Sequence, residues 1–519
     1  MPQWLKQKLH LPREIKKGLP GEWKKLLLFT KHHESHAASA FFPSPFEEAA
    51  ILTMDGVGEW DSATIGMGYG NQMKLIKSLQ FPNSLGLLYS AFTYFCGFRV
   101  NSGEYKLMGL APYGKPIFRD QILEHLIDLK EDGSFVINLE YFNYCQGLTM
   151  TNHRFAKLFG GPPRKAEEKI TGREIDLAAS IQSVTEEIVV RMAKFTREET
   201  NKSNLCLSGG VALNCVANGK LLASNIFENI WIQPASGDAG GALGAAMFTN
   251  YQLLKRERIV ERSDSMKGSF LGPKFDNNQV AEMLKSNQAL SHFFSNEDEL
   301  LDNVCDSIKE GKIVGWFQGR MEFGPRALGN RSIIGDARSE KTQSKMNLSI
   351  KYRESFRPFA PSVLEEKSED YFELDTPSPY MLLVAPVKEQ IRTPLSKEDQ
   401  ETMSDPDLLK RVRLKRSSLP AITHVDYSAR VQSVSESRND RYYRLIRKFN
   451  KKTGSGAIVN TSFNVRSEPI VHTPEDAYRC FMATEMDVLV LENYMLYKTE
   501  QPSENIVSKD THIGQFSLD

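Results

Sequence analysis

The sequence predicts an α/β protein built as two units. Three observations carry that prediction. Apolar runs of strand length, Ala49–Met54, Asn204–Leu207 and Ile230–Ile232, each give way to a turn rich in glycine, aspartate or serine. That is the pattern of buried strands feeding loops and helices. Between them Ile175, Ala178, Ile181, Thr185, Ile188 and Met192 recur at helical spacing, which predicts a long helix over 173–199 with one face in the core. A polar stretch with scattered Gly and Pro, opened by Lys255-Arg256-Glu257-Arg258, then interrupts the pattern where a domain boundary belongs. The expected division is a lead-in over 1–25, a first unit over 26–260, a linker over 261–295, a second unit over 296–500 and a tail over 501–519.

Composition narrows the function classes. Lys+Arg and Asp+Glu both number 65, so no global charge draws the chain to nucleic acid or to a membrane surface. No apolar run reaches spanning length. Cys96, Cys145, Cys206, Cys215, Cys305 and Cys480 are scattered and form no CxxC pair, which reads as reduced core thiols in a cytoplasmic protein. A symmetric homodimer is compatible with such a chain.

In chain order, the lead-in is a short helix broken by Pro12, Gly18, Pro20 and Gly21, and Leu26–Phe29 reads as a brief strand. The segment Lys31-His32-His33-Glu34-Ser35-His36 follows. His32 and His36, four apart, share one face of a helix and form half of a metal site; a packed or capping pair is the alternative. The strand Ala49–Met54 is expected to end at Asp55-Gly56, which places Asp55 as a ligand beyond a strand's carboxyl end, or merely as a turn. Gly56–Thr64 and Ile65–Tyr69 complete a hairpin whose glycines leave backbone N–H groups open to a phosphate, or only make the turn. Ser84–Phe95 is an apolar helix. Glu104 and Lys106 stand in an apolar setting, either as a structural pair or as functional charges.

Further on, Ser208-Gly209-Gly210 between a strand and a helix forms a candidate anion cradle, with Asn214 following. Asp238, before Gly240-Gly241, is either a helix cap or a second carboxylate aimed at the same crevice as Asp55. The second unit carries the densest cationic chemistry. Gly319–Ser332 holds Arg320, Arg326 and Arg331, and Lys351–Pro361 adds Lys351, Arg353 and Arg357 among aromatic residues. Guanidinium forks with apolar interleaving point to a walled polyanion site. Arg430 sits in a Tyr-Ser-Ala-Arg-Val-Gln segment with strand character, and Asn460-Thr461-Ser462-Phe463-Asn464 ends another strand, supplying amides and a hydroxyl.

These seven segments, in this order, resemble the ATP-dependent O-carbamoyltransferases that modify Nod factors and antibiotics. The resemblance covers roughly residues 26 to 495. It implies an actin/Hsp70/sugar-kinase-like domain of the threonylcarbamoyl-transferase type, followed by a threonylcarbamoyl-AMP-synthase-like domain. It implies that carbamoyl phosphate and ATP, with Mg2+, form carbamoyl-adenylate in the second domain, and that the first transfers the carbamoyl group to a hydroxyl of a small molecule or glycan. By the same resemblance His32, His36, Asp55 and Asp238 are metal ligands, for iron(II) or another divalent ion. Ser208, Gly209, Gly210, Asn214, Gly240 and Gly241 would hold the nucleotide. Arg326, Lys351, Arg353, Arg357, Arg430, Asn460, Ser462 and Asn464 would bind the two substrates, with Arg326, Lys351 and Arg430 catalytic. His33 is a candidate to take the acceptor's proton.

Members of this family carry a strand-rich segment before the histidine motif, whereas this sequence opens with Met1-Pro2-Gln3-Trp4. The expectation is a first domain short of strands and of part of its nucleotide cradle. The alternatives are carbamoylation or threonylcarbamoylation of tRNA or protein, and a nucleotide-binding partner without turnover.

Overall fold

The structure, a computed structural model, describes residues 9–19, 21, 24, 26–166, 168–353 and 356–516. These residues form a mixed α/β protein with three sheets among them. β1 (Glu48–Gly58), β2 (Asp61–Tyr69) and β3 (Gln72–Gln80) form an antiparallel meander. β4 (Ile127–Leu129) and β5 (Phe135–Ile137) make a separate small hairpin. β6 (Asn204–Ser208) and β7 (Asn229–Ile232) then join β1 in parallel, giving the order β3-β2-β1-β6-β7.

Strand alternation explains how this sheet is covered on both faces. Ala50, Leu52 and Met54 share a core with Leu88 and Phe92 of helix Leu85–Phe95 and with Ile181 and Ile188 of helix Gly172–Thr200. Ala49 and Ile51, pointing the other way, meet Ala37 and Phe41 of helix His32–Phe41. Burial drives these helices, and caps fix their ends. Ser84 Oγ accepts from Leu87 N–H at 3.0 Å, and Glu174 Oε2 accepts from Thr171 N–H at 2.9 Å. The long helix stops where Asn201 turns left-handed, at φ 48°.

The second sheet has nine strands. They are β8 (His292–Phe293), β9 (Val314–Phe317), β10 (Arg331–Asp336), β11 (Ala360–Leu364), β12 (Leu383–Pro386), β13 (Ser428–Val434), β14 (Ala457–Ser462), β15 (Val488–Leu491) and β16 (Tyr494–Tyr497). Their order is β12-β13-β11-β14-β10-β9-β15-β16-β8. Val314, Trp316, Ile334 and Ile458 face helices Glu297–Lys309 and Asp440–Thr453. Phe317, Ile333 and Val459 face the opposite side.

Three expectations are corrected. Leu26–Phe29 is not a strand: Leu26, Leu28 and Phe29 are exposed and irregular, and they pair with no strand among the described residues. β1 does not end at Asp55 but runs to Gly58, although its register against β2 breaks between Met54 and Gly58 and its pairing with β6 ends at Thr53. That break frees Asp55 from the ladder. The stretch 261–295 is not loose linker. It holds helix Asn277–Ser286, the buried Met266 and β8, which hydrogen-bonds into the second sheet. Of the lead-in, Leu11–Gly18 is helical, and residues 1–8 lie outside the described residues.

Candidate active site

Four side chains from three elements converge at the carboxyl end of β1. His32 and His36 come from one helix face, Asp55 from the irregular part of β1, and Asp238 from the first turn of helix Asp238–Phe248. Their ligand atoms lie within 4.8 Å of one another. His32 Nε2 stands 2.8 Å from Asp55 Oδ2, 3.0 Å from His36 Nε2 and 3.5 Å from Asp238 Oδ1. His36 Nε2 stands 3.4 Å from Asp55 Oδ2 and 3.7 Å from Asp238 Oδ1. His36 is 1 % exposed and Asp238 81 %, so the group is walled on one side and open on the other.

The sequence builds this centre economically. A Cβ on Gly58 would fall 2.3 Å from the His32 ring, so glycine is required for the ring to sit there. Glu59, next in line, accepts from His32 N–H at 3.2 Å and caps the histidine helix. Gly58 and Glu59 thus serve His32. Asp238 is a member of the group and not the cap, which is Gly237. Burial opposes the charge on Asp55, yet His32 and His36 outweigh it and hold the carboxyl well below its usual range. Burial likewise opposes charge on His36, but Asp238 and Asp55 raise it to about 9. Two carboxylates that hold two imidazoles this tightly have the donor set and spacing for a divalent cation.

The neighbouring expectations fare differently. His33 is buried. Its Nδ1 lies 2.6 Å from Thr53 Oγ1, which in turn meets Thr64 Oγ1 at 2.6 Å. Burial, then His36, pushes it down to about 4. A ring enclosed in this way does not reach an acceptor, so the assignment of His33 as a base is corrected: it packs the ligand helix onto the sheet. The Ser208–Gly210 cradle is also already committed. Gly210 N–H donates to Asp55 Oδ1 at 3.0 Å and Gly209 N–H to Ser236 O at 2.8 Å. Gly209 takes φ 92°, and a Cβ there would meet Met54 O at 2.1 Å. Ser208 Oγ is buried, 3.4 Å from His36 Nδ1. Asn214 caps helix Cys215–Ala223 and pairs with Gln182 at 3.0 Å. Gly240 and Gly241 form the first turn beside Asp238. Ser208, Gly209, Gly210 and Asn214 are engaged with neighbouring residues of the protein, Gly210 and Ser208 with the Asp55 and His36 side chains.

The cations gather elsewhere, in a cavity of about 480 Å³ between the two halves. Tyr105, Lys106 and Cys215 line it from the first unit, and Arg326, Lys351, Arg353, Arg357, Arg430, Ser462 and Asn464 from the second. Burial, then Arg430 and Arg357, push Arg326 down to about 9. Burial, then Arg353, holds the Lys351 ammonium well below the ordinary lysine range. Lys351 Nζ donates to Ser462 O at 2.8 Å and to Asn464 O at 2.7 Å. Arg357 lies 4.5 Å from the Tyr105 ring centre and Arg353 4.7 Å from that of Phe359. Among the described residues no carboxylate is paired with Arg326, Arg357 or Arg430. Crowded like charges without a counter-charge are relieved by an anion.

Not every residue of the cationic motifs belongs here. Asn460 is fully buried behind the cavity wall; its amide donates to Ala327 O and Ser362 Oγ at 3.0 Å and to Gln432 Oε1 at 2.8 Å. Its expected ligand role is corrected to a structural one. Arg331 is also buried. It donates to Gln318 O and Asn330 O, with its guanidinium 3.5 Å from the Phe317 ring centre. Arg331→Ala is expected to lower stability by about 3 kcal/mol in urea unfolding, because it strands buried carbonyls. Glu104 accepts from Ser90 Oγ at 2.8 Å and Asn101 N–H at 2.9 Å, so it is structural while Lys106 lines the cavity. Tyr105 and Cys215 were not singled out as site residues by sequence reasoning, though the first lies within a motif marked for its charges.

The two sites are linked by one short turn. At its start Gly210 binds Asp55, and near its end Leu213 O accepts from Arg326 at 3.3 Å. No described helix is long and apolar enough to cross a membrane.

Residues 3–247 match the family described as carbamoyltransferase N-terminus, and residues 305–498 the carbamoyltransferase C-terminus. An uncharacterized protein of Synechocystis sp. is 59% identical over 510 residues, 97% of this chain and 82% of that one. Nodulation protein NolO of Bradyrhizobium diazoefficiens is 36% identical over 474 residues, 90% and 78% of the two chains. The 3'-hydroxymethylcephem-O-carbamoyltransferase of Amycolatopsis lactamdurans is 27% identical over 466 residues, 87% and 77%.

Proposed function

Since the chain belongs to the carbamoyltransferase family, we propose that it is an ATP-dependent O-carbamoyltransferase. In this reading it forms carbamoyl-adenylate from carbamoyl phosphate and Mg2+-ATP, then transfers the carbamoyl group to a hydroxyl of a small-molecule or glycan acceptor. The carrying observation is the crowd of Arg326, Arg357, Arg430 and Lys351 around one cavity. Joining two anions requires their mutual repulsion to be cancelled, and fixed guanidiniums do this without reorganising. Lys351, anchored by Ser462 and Asn464, presents its ammonium at a set position in the wall. Cytoplasmic residence and the absence of a nucleic-acid partner belong to the same proposal, supported by the balanced charge.

The first unit is read as an actin/Hsp70/sugar-kinase-like half and the second as threonylcarbamoyl-AMP-synthase-like. The mixed order β3-β2-β1-β6-β7 supports the former. His32, His36, Asp55 and Asp238 would hold an iron(II) or similar ion, and their converging atoms fit one. Such an ion supplies Lewis acidity toward phosphate or carbonyl oxygens. The exposed Asp238 side leaves room for an acceptor. The test is transfer of label from ¹⁴C-carbamoyl phosphate to a panel of hydroxyl compounds and oligosaccharides. ATP-dependent labelling of at least one is expected; labelling that persists without ATP contradicts the adenylate route.

A further inference from the structure

A second group of metal-capable side chains lies behind the cationic cavity, whose lining includes one of them, Glu468. Glu468 follows β14, Cys480 belongs to helix Pro474–Met482, and His512 belongs to the C-terminal helix Lys509–Ile513. Their ligand atoms lie within 4.8 Å of one another, and all three residues are buried, Cys480 and His512 completely. His512 Nε2 stands 3.2 Å from Glu468 Oε1, yet neither of its ring nitrogens has a well-formed hydrogen bond among the described residues. A neutral imidazole carries one donor and one acceptor, and burying both without partners is unfavourable. The other Glu468 oxygen is engaged, accepting from Val465 N–H at 2.8 Å. One carboxylate oxygen, one thiol and one imidazole are therefore turned toward a common point.

We propose that Glu468, Cys480 and His512 form a structural zinc site that ties the C-terminal helix to the cavity wall. Thiolate, imidazole and carboxylate are zinc donors, and their burial away from bulk solvent favours a structural role, with a fourth donor completing the tetrahedron. The charges close: a divalent ion with a thiolate and a carboxylate is a neutral unit, compatible with Lys351 and Lys498 near Cys480. On binding, the S–H bond of Cys480 breaks, its proton leaves to solvent, and the sulfur–metal bond forms. The site braces what the cavity needs. Asn464 Nδ2 donates to Glu468 O at 2.6 Å, and Asn464 O in turn holds Lys351 Nζ.

The full chain loaded with cobalt(II) alone distinguishes this site from the first, whose four members offer only nitrogen and oxygen. A thiolate-to-cobalt charge-transfer band is expected in the wild-type protein. It should survive in the His32→Ala/His36→Ala variant and vanish in Cys480→Ser. His512→Gln, which replaces the ligand at the chain's end, should lose one zinc equivalent by elemental analysis while its circular dichroism is unchanged. Zinc should raise the Tm of the wild type more than that of His512→Gln. A missing band in the wild type, a band that persists in Cys480→Ser, or equal zinc content in wild type and His512→Gln would each overturn the proposal and leave a plain hydrogen-bonded triad.

Discussion

Arg326→Ala is expected to slow carbamoyl-phosphate-dependent pyrophosphate release by about 100- to 1000-fold, the usual cost of deleting a preorganised charge donor. Its stability should stay close to wild type. Among the described residues Arg326 makes one long protein hydrogen bond, to Leu213 O at 3.3 Å, and its Nε makes none. It stands against Arg430 and Arg357 and not beside a carboxylate, so removing it relieves repulsion in the free protein. Arg326→Lys restores charge but not the fork and should recover only part of the rate. Initial rates at saturating ATP, with urea unfolding as the control, decide it. A wild-type rate in Arg326→Ala would remove the cavity from the chemistry.

His36→Ala should separate the two half-reactions. On the proposed reading of the cluster as an iron(II) site, loss of a side chain that is 1 % exposed and held by two carboxylates should abolish tight iron(II) binding, read by elemental analysis. Transfer to the acceptor should fall by about 100-fold or more. Pyrophosphate release should continue, because His36 is not among the residues that line the cationic cavity. The variant also leaves His32 as the one imidazole of the group beside Asp55 and Asp238, which is expected to cost about 2 kcal/mol of stability. Equal loss of both half-reactions would mean that the two sites act as one.

Much of this site was legible in the sequence. His32 and His36 announce themselves by helical spacing, and Asp55 and Asp238 by their places after strands. The cations of the second unit are dense enough to read as a pocket. What stayed hidden were the partners of backbone groups. Nothing local shows that Gly210 N–H is spent on Asp55, that Gly58 makes room for His32, or that Arg331 serves carbonyls while Arg326 faces a cavity. Those outcomes depend on tertiary contacts, some of them between residues as far apart as Gly210 and Asp55, 155 positions along the chain, where spacing carries no information. The same holds for His33 and Asn460: their types suggested chemistry, and burial decided otherwise. Among the strands, Leu26–Phe29 has apolar character but pairs with no strand among the described residues, whereas β8 is too short for periodicity and exists because β16 offers an edge.

The central claim is that the cavity between the halves activates carbamoyl phosphate with ATP. The most direct measurement is release of pyrophosphate and AMP from the full chain given ATP, Mg2+ and carbamoyl phosphate, with no acceptor present. Pyrophosphate that requires carbamoyl phosphate and disappears in Arg326→Ala is the predicted result. ATP bound by the protein with no carbamoyl-phosphate-dependent pyrophosphate would contradict it and favour a nucleotide-binding role without turnover.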